Sequence, residues 1–197
     1  MFTTTSFVTS FNSMPALVED DAILIQRSKA DLSDFAELYE RYSTRVYRYL
    51  LVRVGNVDDA EDLTSQTFLA AMNSLRRYDG NSPFIAWLLG IARHKLADQY
   101  RRAKPVQELD EEVEFADNTP LPETLVGQQL DIEVITQKLR VISPDRAEAI
   151  SLRLFAGLEV SEIAATMGKN EASVRMLVYR GLRDLQEHLG WLQTQNQ

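Results

Sequence analysis

The 197-residue chain contains no cysteine, which excludes disulfides, a thiolate nucleophile and thiolate-bound zinc. Histidine is almost as scarce. His94 and His188 lie far apart and form no His-x-x-x-His pair, so no metal centre and no cofactor are expected. No run of about 18 apolar residues is present to cross a bilayer, so membrane insertion is not expected. The opening MFTTTSFVTSFNSMPALVED lacks the basic start of a signal peptide, which points to the cytoplasm. A Gly-rich phosphate loop, Gly-x-Ser-x-Gly and His-Glu-x-x-His are all missing, so an enzyme is not expected. What is present is 45% hydrophobic and 25% charged residues, enough for one or two packed cores.

The formal net charge of -8 argues against a nucleic-acid partner until it is divided along the chain. Residues 1–104 carry 13 Lys/Arg against 13 Asp/Glu, and residues 127–197 carry 8 against 9. Residues 105–126, PVQELDEEVEFADNTPLPETLV, hold 7 carboxylates, no Lys or Arg, and three of the six prolines. Such a composition cannot bury a core and reads as an acidic flexible linker between two modules. The expected divisions are an N-terminal tail 1–19, a helical domain 20–104, the linker 105–126, a second helical domain 127–190 and a C-terminal tail 191–197.

In the first module Phe35, Leu38, Tyr39, Tyr42, Val46, Leu50 and Val54 recur at three- and four-residue steps, which predicts one buried helical face. Gly55 and Asn56 provide a stop. Asp58, with Glu61 three residues later, reads as the capping start of a second helix from about Asp59 to Arg77, with Ala60, Leu63, Thr67, Phe68, Ala71 and Leu75 inward. After a loop from Tyr78 to Ser82, a third helix begins near Pro83. Phe84, Trp87, Leu88, Ile91 and Leu96 make its stripe, and Arg93, Lys95, Arg101, Arg102 and Lys104 make it basic.

The second module is expected to open with a helix from Ile132 to about Val141 and to restart at Ser143-Pro144-Asp145, a cap followed by proline at the first helical position. Gly157 ends that helix. Leu158 to Met167 form a short helix, Gly168 permits a sharp turn, and Asn170 caps a last helix through Val174, Val178, Leu182 and Leu185. Helix, glycine turn and helix in this space is the helix-turn-helix arrangement. Between Ala172 and Arg183 the last helix carries three arginines and no carboxylate, a composition suited to phosphates or guanine edges.

Three segments in this order, DAEDLTSQTFLAA (Asp59 to Ala71), SPFIAWLLGIARHKLADQYRR (Ser82 to Arg102) and GLEVSEIAATMGKNEASVRMLVYRGLRDL (Gly157 to Leu185), resemble the bacterial RNA polymerase sigma factors of the extracytoplasmic-function type. These keep only the second and fourth conserved regions of larger sigma factors. The resemblance covers about residues 20–104 and 127–190. It implies an all-α protein of two small helical domains joined by the acidic linker, with core RNA polymerase, promoter DNA and an anti-sigma factor as partners.

The same resemblance assigns residues. Asp62, Ser65, Gln66 and Phe68 are implied contacts to the clamp helices of the largest polymerase subunit, with Ser65-Gln66 standing where Gln-Glu is usual. The loop Tyr78, Asp79, Gly80, Asn81 and Ser82 is implied to hold a flipped base of the minus-ten element, and Arg93, His94, Arg101 and Arg102 to follow the single strand. Ser173, Arg175, Tyr179, Arg180 and Arg183 are the implied readers of the minus-thirty-five element, with Arg175 and Tyr179 toward the groove and Arg180 in a mixed role. Each has a plainer explanation. Asp58 and Asp59 suit any helix N-terminus, Trp87 suits core packing, and a basic helix face is often only solvated.

The function expected is therefore an alternative sigma factor that binds core polymerase, directs it to promoters and promotes melting. Two other readings fit parts of the pattern. One is a helix-turn-helix regulator acting without polymerase; the other is a helical adaptor that does not bind DNA.

Overall fold

The structure is a computed structural model that describes residues 21–103 and 123–194, with side chains described for 21–102 and 132–187. All regular structure among these residues is helical: α1 Asp21–Ala30, α2 Phe35–Val54, α3 Val57–Ser74, α4 Phe84–Ala103, α5 Glu123–Val141, α6 Pro144–Leu154, α7 Val160–Met167 and α8 Glu171–Thr194. Short 3-10 turns, Leu32–Asp34 and Leu75–Arg77, join α1 to α2 and extend α3. None of the described helices is long and apolar enough to cross a membrane.

Helices α1 to α4 form one bundle. The periodic stripe of α2 is its centre, with Leu38, Val46 and Leu50 fully buried. Tyr39 departs from the expectation: it is 45% exposed, because its ring lies over the edge of Phe68 at 4.7 Å instead of entering the core. Gly55 ends α2 in the left-handed conformation. The cap of α3 is Asn56, not Asp58. Asn56 is extended and accepts from the Asp59 amide at 2.8 Å, so the helix starts at Val57 and Asp58 falls within its first turn. Helix α4 starts at Phe84, with the carbonyl of Pro83 accepting from Trp87, so proline precedes the helix by one residue.

Helices α5 to α8 form the second unit. Helix α5 begins at Glu123 and not near Ile132, so Glu123–Val126 of the acidic stretch are helical; residues 104–122 lie outside the described residues, as does the tail 1–19. Helix α8 continues to Thr194, into the stretch expected to be a tail. Pro144 lies in the first turn of α6, as the sequence predicts, and Ser143 holds the cap position but makes no capping hydrogen bond with its side chain. Gly168 takes a left-handed turn at φ 64° between α7 and α8, and the Asn170 side chain accepts from the Ser173 amide at 2.8 Å.

The two units are packed against each other. Leu152, Ala156, Leu158, Ile163, Ala164 and Val174 join the same buried cluster as the α1–α4 core. Val52 of α2 is buried among Leu139, Ile142, Ala147, Ile150 and Leu185. The sequence pattern separates two modules; it does not reveal that they meet.

Within the second unit, α6 and α8 cross closely at Gly181. A Cβ there would lie 2.7 Å from Cγ2 of Ile150 and 3.1 Å from the Arg146 carbonyl oxygen, and Ile150 is fully buried. Overpacking costs about 1–3 kcal/mol, against at most ~1 kcal/mol gained in helix propensity. Gly181→Ala is therefore expected to lower the urea unfolding midpoint. An unchanged or raised midpoint would contradict the close crossing.

Candidate nucleic-acid interface

The first implied contact surface is one face of α3. Asp62 and Ser65 are exposed, and Gln66 donates from Nε2 to Oδ2 of Asp62 at 2.6 Å. Phe68 does not belong to this surface. It is only 4% exposed and meets Phe35 and Tyr39 edge-on, so its ring supports the face from beneath. In its place the face presents Leu69, 56% exposed, one further turn along from Asp62 and Gln66. An apolar residue in the polar register of α3 was the available signal for Leu69; Tyr39 had none, because its spacing matches the core stripe.

The loop before α4 is built rather than slack. Tyr78 is buried and stacks with Phe84 and Trp87 at ring distances of 5.5 and 5.1 Å, and its hydroxyl donates to the Ser82 carbonyl. Burial pushes this phenol above its ordinary value, so the hydroxyl keeps its donating proton. Lys29 of α1 donates to the Tyr78 carbonyl at 2.6 Å, a contact from 49 residues away with no local sequence signal. At the tip the Asp79 carboxylate accepts from the Asn81 amide at 3.0 Å and from its Nδ2 at 2.6 Å. These bonds, the backbone one foremost, hold the Asp79 carboxyl below its usual value. Asp79, Gly80 and Asn81 are exposed, whereas Tyr78 anchors them from inside. Trp87 is part of the same aromatic stack, in line with the packing explanation.

Along α4 the basic residues divide. Arg101 pairs with Asp98 on the surface and Arg102 is exposed. His94 is exposed beside a cleft of about 320 Å³ between α4 and α7, with Trp87 and Gly90 on one wall and Ala165 and Thr166 on the other. Arg93 is engaged: its Nε lies 3.0 Å from Oε1 of Glu148 on α6, and its Nη1 donates to the Thr166 carbonyl at 2.5 Å.

The helix-turn-helix holds α8 with one face outward. A capping box between Glu159 and Glu162 starts α7, and fully buried Val174 fixes the start of α8 against the core. Ser173, Met176, Tyr179, Arg180 and Arg183 fall at three- and four-residue steps and are all exposed. Tyr179 and Met176 are the apolar members, 63% and 47% exposed. Arg175 pairs with Glu171 at 2.6 Å and Arg183 with Glu187 at 2.8 Å. Both are solvent-exposed pairs of adjacent turns, weak in water, so a phosphate or base edge can displace them. Arg180 has no carboxylate partner among the described residues. Met176 lies on this exposed face beside the implied readers.

Two family descriptions match the chain in order: sigma-70 region 2 over residues 38–106 and sigma-70 region 4 over residues 132–185. The extracytoplasmic-function RNA polymerase sigma factor BldN of Streptomyces coelicolor is 38% identical over 167 residues, covering 82% of this chain and 63% of BldN. The sigma factor SigD of Mycobacterium tuberculosis is 31% identical over 179 residues, covering 86% of this chain and 83% of SigD. The fold is similar to that of CnrH, solved in complex with the cytosolic domain of CnrY, with a TM-score of 0.69, 22% identity and coverage of 87% of this chain and 98% of that one. With both regions matched in order and SigD covered over most of its length, the chain belongs to the sigma-70 family of RNA polymerase sigma factors, and within it to the extracytoplasmic-function type.

Proposed function

We propose that this protein acts in the cytoplasm as an alternative sigma factor that binds core RNA polymerase, brings it to particular promoters and helps open them, with no chemistry of its own. The observation that carries the reading is the pairing of a region 2 bundle with a region 4 helix-turn-helix whose last helix turns an arginine-bearing face outward. In this reading residues 20–104 bind polymerase and the minus-ten element, 127–190 bind the minus-thirty-five element, and 105–126 tether them. An anti-sigma factor as regulating partner belongs to the same reading, through family membership.

The polymerase surface is assigned to the exposed face of α3, Asp62, Ser65, Gln66 and Leu69, with Tyr39 beside it. An acidic and amide-bearing centre flanked by an apolar residue suits a partner surface with cations around an apolar contact. The minus-ten surface is assigned to Asp79, Gly80, Asn81, Ser82, His94, Arg101 and Arg102, with Arg93 available once Glu148 and Thr166 release it. A loop pre-shaped by Tyr78 and Lys29 lowers the ordering cost of capturing an unstacked base. The minus-thirty-five surface is assigned to Ser173, Arg175, Tyr179, Arg180 and Arg183. A regulator that works without polymerase would need no specialised α3 face, and nothing in the geometry favours it.

Charge reversal in the α3 face tests the polymerase assignment. Among the described residues Asp62 bonds only to Gln66, on the surface, so Asp62→Arg should leave helicity intact while weakening binding to core polymerase about tenfold or more. Loss of circular dichroism signal, or unchanged co-elution with core enzyme, would contradict the assignment.

The two arginines of α8 test how the promoter is read. Five residues apart, they point roughly 140 degrees from each other, so they do not share a base pair. Arg175→Ala should cost about 1–3 kcal/mol at one minus-thirty-five position. Arg180→Ala should weaken all promoters alike and lower the salt slope by about one. Transcription from a minus-thirty-five mutant panel at two salt concentrations measures both. If promoter ranking and activity are untouched by either change, α8 does not read the promoter.

A further inference from the structure

The outward face of α8 carries an apolar pair in a cationic setting. Val174, Gly181 and Leu185 are buried and define the inner side of the helix. At about 100 degrees per residue, Met176 lies roughly 200 degrees round from Val174, close to opposite that buried line. Tyr179 stands about 60 degrees to one side of Met176 and Arg180 about 40 degrees to the other. Met176 and Tyr179 are both exposed, so neither is there to fill the core. Apolar side chains one turn apart inside a polar rim are the pattern of a contact surface.

The setting restricts what this pair can meet. No carboxylate occurs between Ala172 and Arg183, and Glu171 before them is tied to Arg175, so the occupant has to suit cations. Met176 is the sixth residue of α8. It therefore lies in the N-terminal part of the second helix of a helix-turn-helix, the part that reaches base edges in the major groove. A thioether donates no hydrogen bond and accepts only weakly, so it cannot read the polar atoms of a base. The apolar group that a base pair offers in the major groove is the 5-methyl of thymine. The unbranched, adaptable methionine side chain can lie against that methyl, and the Tyr179 ring borders the contact from the next turn.

We propose that Met176, with the ring of Tyr179, is a thymine-reading subsite that requires the 5-methyl group at one position of the minus-thirty-five element. The inference rests on the assignment of α8 to that element and deepens it by naming the base and the group that is read. It divides the work on this helix. Arginines take base acceptors and phosphates, whereas the methionine discriminates against uracil and cytosine, which lack the methyl. A protein groove is the competing occupant for the same pair, and the cationic surround without carboxylates favours the DNA edge over it.

The test uses holoenzyme assembled from the full chain and core RNA polymerase. A promoter is selected from a library randomised in the minus-thirty-five region, and each thymine there is replaced in turn by deoxyuridine, which removes the 5-methyl alone. Wild-type binding should fall about three- to fivefold at one position, the effect of unburying one methyl group. Met176→Ala should bind the thymine and deoxyuridine promoters equally at that position. Met176→Leu, which keeps an apolar side chain of similar volume, should restore the penalty. A selected element without thymine, no position sensitive to the methyl, or a penalty that persists in Met176→Ala overturns the subsite. Loss of co-elution with core polymerase in Met176→Ala marks the pair as a protein-docking face and also overturns it. Failure of the sigma reading shows separately, as wild-type protein that neither co-elutes with core polymerase nor selects a promoter; a failed methyl contact leaves both intact.

Discussion

The packing of α6 on the α1–α4 bundle centres on a carboxylate placed where a buried charge is costly unless it is surrounded. Glu148 projects from α6 into the α1–α4 bundle, and Tyr49, Arg53 and Arg93 converge on it from α2 and α4. With those partners in place the apolar surfaces around it can also close, so Leu152, Leu158 and Ile163 share a core with Leu38 and Leu88. Arg93 is tied to Glu148 and to the Thr166 carbonyl, while the loop tip at Asp79 to Asn81 and the outer face of α8 are exposed.

The two modules position their candidate recognition groups by different means. In region 2 the loop before α4 is held by aromatic packing and by Lys29, contacts made within the protein itself. In region 4 the angle of α8 is set by Gly168, by the Asn170 cap and by the close crossing at Gly181. What remains adjustable on α8 is only the outer layer, where Arg175 and Arg183 rest on neighbouring carboxylates. On such a frame the weak surface pairs can be exchanged without reorganising the fold.

Local signals carried most of the fold. The stripe from Phe35 to Val54, the stop at Gly55, the proline start of α6 and the Gly168 turn with its Asn170 cap are each decided within a few residues, and the sequence shows them. Errors came where two local candidates competed or where the partner was distant. Asn56 and Asp58 both suit a cap, and the extended conformation after Gly55 selects Asn56. Tyr39 and Phe68 both match an inward spacing, yet Phe68 fills the site and leaves Tyr39 across its edge. The Tyr49 to Glu148 bond joins residues 99 apart in the chain, and no periodicity or charge count announces it.

The most direct measurement is gel filtration of the full chain with core RNA polymerase, followed by transcription from a promoter panel. The account predicts co-elution with the core enzyme and initiation at particular promoters that the core enzyme alone does not use. A chain that fails to co-elute, or that leaves initiation unchanged, would contradict it.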